Sequence, residues 1–146
     1  MQFKDSTGKG MDWVESVVKY ERPDIVILDM GDKFADIRAE RTDITLKAAA
    51  IHARNIAKQY DCAVVWMSQL SAEAEGRADL NQAMMEGSKT GKAAEADLMV
   101  LIGKTQQAEG EEEDPIRYLN IAKNKLNGFQ GKITCQLDGS RSLYTA

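Results

Sequence analysis

Pro23-Asp24-Ile25-Val26-Ile27-Leu28-Asp29 is the stretch on which the fold turns. From Ile25 to Met30 the run is nearly all apolar and is bounded by Pro23 and Gly31. That pattern predicts a parallel strand buried on both faces. It delivers one carboxylate, Asp29, at its C-terminal end. Cys62-Ala63-Val64-Val65-Trp66-Met67-Ser68-Gln69 repeats the design, with Ser-Gln where the first strand has its acid. Open α/β sheets put their ligands at the carboxyl ends of such strands.

Outward from these strands, periodicity supplies the helices. Met11 to Tyr20 places Trp13, Val14, Val17 and Val18 on one face. Thr42 or Asp43 can cap a long helix running to Tyr60, with Ile44, Ala48, Ile51 and the Asn55/Ile56 position along one side. Gln2 to Lys4 reads as a short strand, and Asn81 to Met85 as a short helix. Leu98 to Ile102 is a third apolar strand. Ile116 to Lys123, Lys132 to Leu137 and Ser142 to Tyr144 follow at close spacing, as antiparallel strands do. The expected fold is therefore α/β, a mainly parallel sheet with antiparallel C-terminal edge strands, in a single domain spanning residues 1–146.

A chain of 146 residues is long enough for a real core, and 43% hydrophobic with 29% charged residues is ordinary globular composition. No apolar run approaches the roughly 20 residues of a membrane span, and the N-terminus shows no signal-peptide pattern. Cys62 and Cys135 have neither zinc nor redox spacing. Net charge is −4, but Glu109 to Asp114 carries five of the acids, and the rest of the chain is at +1. Such a run reads as a solvated loop tip, so basic loops elsewhere stay free to meet phosphates.

Several residues invite a chemical reading, each beside a plainer one. Asp29 can hold a water of a hydrated Mg²⁺ ion, which keeps several waters; it can also merely cap a turn. Gln69 can donate its amide to a phosphate oxygen and lose that contact after hydrolysis, or simply satisfy backbone groups in a loop. Gly87 to Lys92 is a flexible basic loop suited to single-strand phosphates and equally to solvent. Lys123 and Lys125 alternate along a strand and share a face, where an anion between them would relieve their repulsion. His52, mid-helix, reads as structural. Ser6-Thr7-Gly8-Lys9-Gly10 is no phosphate loop: Phe3 stands at the first glycine position and Gly10 at the hydroxyl position.

Taken in order, PDIVILDM, VVWMSQL, EGSKTGKAAEADLMVLI and IAKNKLNGFQGKI resemble the RecA-like motor domain of DnaB-type replicative helicases, phage primase-helicases included. The resemblance covers the chain from Asp5 onward and implies a partial P-loop NTPase core that uses ATP and Mg²⁺. It makes Asp29 the Walker B carboxylate and Gln69 the γ-phosphate sensor. It makes residues 70–92 the loop that holds single-stranded DNA, with Arg77, Lys89 and Lys92 as phosphate contacts. Lys123 and Lys125 become the pair that reaches into a neighbouring subunit's ATP site. The family usually has arginine where Lys125 stands, and lysine lacks the planar fork.

The Walker A segment and the catalytic glutamate after it match nothing in these 146 residues, so the chain is expected to be inactive alone. The resemblance puts the phosphate-loop strand between those at residues 62–67 and 97–103, leaving both with unpaired edges. It also implies a hexameric ring or a separate Walker A half as partner, and the cytoplasm of a bacterial host, phage-encoded proteins included. Two alternatives stay open: a fragment of another RecA-like recombination or repair ATPase, and a non-catalytic module that binds DNA or a motor subunit.

Overall fold

The computed structural model describes residues 1–34, 42–85, 91–107 and 114–145. They form two compact units. Unit 1 comprises residues 1–69 and 90–95, and unit 2 comprises 70–89 and 96–146.

In unit 1, α1 (Met11–Glu21) precedes β1 (Ile25–Leu28), and α2 (Thr42–Tyr60) precedes β2 (Ala63–Trp66). A short helix, α3 (Gly91–Glu95), completes the unit. Residues 2–4 form no strand, and Phe3 is exposed. β1 and β2 pair in parallel, Ile25 opposite Ala63 and Leu28 opposite Trp66. Met11, Val14 and Val18 of α1 pack with Leu46, Ala49, Ala53 and Ile56 of α2, against Leu28, Val26, Val64 and Trp66. Val18 and Ile56 are the most completely buried, each contributing on the order of 1.5–3 kcal/mol.

Two expectations change here. The inward face of α2 is Leu46, Ala49, Ala50, Ala53 and Ile56, while Ile44 and Ile51 are exposed. Small alanines let the helix lie close to its neighbours, so size rather than apolarity chose the face. The strands are also covered on one face only. Ile25 (61% exposed), Ile27 (55%) and Val65 (43%) form a bare apolar surface opposite the helices.

In unit 2, β3 (Leu98–Gly103), β4 (Ile116–Asn124), β5 (Gly131–Asp138) and β6 (Leu143–Thr145) make one antiparallel sheet in chain order. β3 runs antiparallel to β4, with a bulge at Met99/Val100. Among the described residues one strand pairing is parallel and three are antiparallel, and no ladder joins β2 to β3. β3 buries Met99, Leu101 and Gly103 and exposes Leu98, Val100 and Ile102. The short helix near residue 82 is a single 3₁₀ turn, Gln82–Met84, capped by the side chain of Asn81.

Candidate functional site

The carboxyl ends of β1 and β2 lie side by side because their pairing continues past the strands. Met67 N–H donates to Leu28 O at 3.1 Å, and Gly31 N–H donates to Met67 O at 2.9 Å. Asp29 and Gln69 therefore emerge from neighbouring strand ends, and both are exposed. Among the described residues neither side chain has a hydrogen-bond or ion-pair partner, and Ser68 Oγ reaches only the Gln69 backbone carbonyl, at 3.4 Å. No cluster of three or more His, Cys, Asp or Glu residues fit to hold a metal occurs among the described residues. One free carboxylate suits Mg²⁺, which dehydrates reluctantly and is held by one or two carboxylates plus phosphates rather than by an all-protein cage.

Three residues along the chain from Asp29, Asp32 opens a different environment. Its carboxylate accepts hydrogen bonds from Trp66 Nε1 (3.0 Å), Ser68 Oγ (2.6 Å) and Lys92 Nζ (2.9 Å to each oxygen). Lys92 also donates to Ser68 Oγ at 2.7 Å. The Trp66 indole lies over Gly31, where an added Cβ would stand 2.3 Å from Cδ2. Only glycine admits that stacking.

Lys92 corrects the sequence reading. Its side chain is 4% exposed and its ammonium is fully engaged inside unit 1, so it is not presented to a DNA phosphate. A basic glycine-containing segment reads as a solvated loop, and its partner lies 60 positions away, where no local pattern reveals it. Lys89 lies outside the described residues, as does most of the acidic run. Arg77 is exposed on the loop before Asp79. Gly103 fixes the path of that loop, because a Cβ there would lie 2.5 Å from Arg77 O. Asn120 helps to hold it, donating to Ala78 O (2.9 Å) and accepting from Leu80 N–H (3.3 Å). Nothing in the sequence around Asn120 marks that task.

Lys123 is part-buried near the end of β4, but the strand stops at Asn124 and Lys125 begins the turn. Lys125 N–H still donates to Asp97 O at 2.8 Å, so the backbone pairing runs one residue past the strand. Its ammonium stands 3.4 Å from Asp97 Oδ1, both side chains about half exposed. Such a surface pair contributes little and leaves the cation free to change partners. Elsewhere, His52 bridges the helices through Glu15 (Nε2 to Oε2, 2.7 Å), in keeping with a structural role. Burial pushes the Cys62 thiol above its ordinary pKa, and Cys135 is buried. No helix among the described residues is long and apolar enough to cross a membrane.

These strand ends, backed by helices and followed in the chain by an antiparallel sheet, make a mixed α/β fold similar to the RecA-like helicase domain. Among solved structures, the chain is similar to one described as an ATPase domain, with a TM-score of 0.79 at 17% identity over 94% of this chain and 51% of that one. It is also similar to a DnaB-like replicative helicase whose structure was solved to show its interactions with primase. There the TM-score is 0.81 at 19% identity, over 97% of this chain and 37% of that one. The chain thus spans about half, or less, of these proteins. No protein-family model and no curated protein matches it.

Proposed function

We propose that this chain is the C-terminal half of a replicative DNA helicase motor, completed by a Walker A half or by assembly into a hexameric ring. The observation that carries the reading is the pair of exposed, unpartnered polar groups, Asp29 and Gln69, on adjacent parallel strand ends of a RecA-like fold. Mg²⁺ held by Asp29 would neutralise charge that builds on the phosphates of ATP.

The chain's own part is to hold and to sense. Asp29 would hold the hydrated Mg²⁺ ion. Gln69 donates to the terminal phosphate without adding charge, and that contact ends when the phosphate leaves. Lys123 and Lys125 of a neighbouring subunit supply positive charge from outside. Lys125 does so as a point charge released from Asp97 rather than as a bidentate fork. Arg77 contacts a phosphate of single-stranded DNA, with Lys89 as a second candidate on the same segment. The bare face of β1 and β2 is where the missing half packs.

The test mixes the chain with a separately made Walker A half and measures ATP hydrolysis with and without single-stranded DNA. Activity is expected only from the mixture, and Asp29→Ala should reduce it to background. A chain that stays monodisperse and ignores the other half would overturn the reading.

A further inference from the structure

Unit 1 contains a part-buried polar cluster that the proposed chemistry does not use. An ammonium has three N–H donors, and those of Lys92 go to the two Asp32 oxygens and to Ser68 Oγ. A carboxylate has about four acceptor sites, and those of Asp32 are filled by Trp66, Ser68 and the two bonds from Lys92. All three donors of Lys92 and all four acceptor sites of Asp32 are matched.

Its location gives it meaning. Asp32 follows Asp29 by three residues, and Ser68 directly precedes Gln69. The knot therefore ties together the two backbone segments that present the candidate nucleotide-facing groups. A buried ion pair is a poor source of net stability, and apolar side chains of similar volume often do as well. What a closed, directional network supplies instead is a fixed register between the segments it joins.

We propose that Lys92 is a positioning residue for the phosphate sensor. Through Asp32 and Ser68 it fixes the backbone at Gln69 relative to Asp29, so that amide and carboxylate address the same nucleotide. The proposal rests on the reading of Asp29 and Gln69 given above. Lys92 touches no phosphate itself, and its effect is confined to what Gln69 can reach.

That confinement makes the test sharp. With the chain assembled with its Walker A half, affinities for ADP and for a non-hydrolysable ATP analogue are measured for wild type, Lys92→Met, Gln69→Ala and the double variant. Losing one hydrogen bond to a charged group weakens binding by roughly tenfold or more. Lys92→Met and Gln69→Ala should each weaken the analogue by about that factor and leave ADP unchanged. The double variant should be no worse than either single one, because both remove the same contact.

Equal weakening of both nucleotides, or additive losses, would show that Lys92 does not act through Gln69 and would overturn the proposal. So would a Lys92→Met variant that binds like wild type while Gln69→Ala is impaired. A Gln69→Ala variant that binds the analogue normally would instead sink the sensor reading, and this proposal with it. Should Lys92→Met not fold, Ser68→Ala keeps the ion pair and the Trp66–Asp32 bond and removes the link next to Gln69. It should give the same selective loss, and normal analogue binding by a folded Ser68→Ala would count against the proposal.

Discussion

A methyl group at Gly31 would lie 2.3 Å from Trp66 Cδ2 and 2.6 Å from Nε1. The indole is held there by its hydrogen bond to Asp32, so it cannot yield without breaking the network around that carboxylate. Gly31→Ala should therefore cost about 1–3 kcal/mol, as overpacking does, whereas Gly139→Ala, with nothing within 4 Å, should stay within about 0.5 kcal/mol. Urea unfolding followed by tryptophan fluorescence would separate the two. The sequence made Asp29 and Gln69 visible because an apolar run that stops at a polar residue marks a strand end. It hid Lys92, Asp32 and Asn120 because their partners are distant in the chain. A lysine beside glycines also looks the same whether it is solvated or sequestered.

Helices α1 and α2 of unit 1 are joined by a polar seam as well as by their apolar faces. The Glu15 carboxylate accepts from Tyr60 at 3.1 Å and pairs with His52 at 2.7 Å. The hydrogen bond from His52, then that from Tyr60, holds Glu15 below the ordinary glutamate pKa. A carboxylate lowered by folding stabilises fully above its unfolded pKa, and loses that contribution as pH falls through the lowered folded value. Melting temperature should thus fall on acidification through and below the usual glutamate range, and Glu15→Gln should flatten that part of the profile. An equally steep profile in the variant would assign the acid sensitivity elsewhere. At this scale the sequence located helices and strands better than it oriented them. Ile44 and Ile51 outrank alanine in apolarity, yet the alanine stripe faces inward.

Across the whole chain, apolar surface is left on strands that most proteins would cover. Ile25, Ile27 and Val65 on unit 1, and Leu98, Val100 and Ile102 on unit 2, are each more than two-fifths exposed. Ile27→Lys should leave the isolated chain's melting within the small range of surface changes, yet suppress self-association and assembly with a Walker A half. Light scattering across a dilution series reads both effects, and unchanged association would place the contact on another surface. Unit 1 is also written in two pieces, residues 1–69 and 90–95. On the ribosome, Asp32 is made 60 positions ahead of the lysine that neutralises it. At about 5–20 residues per second, that is a wait of roughly three to twelve seconds. By the end of that interval the nascent chain has α1, α2 and both parallel strands, but carries an acid with no counter-charge at their junction. A pause in translation before residue 92 would prolong that state, and the growing chain would then depend on water or a chaperone to shelter what its own next segment is meant to close.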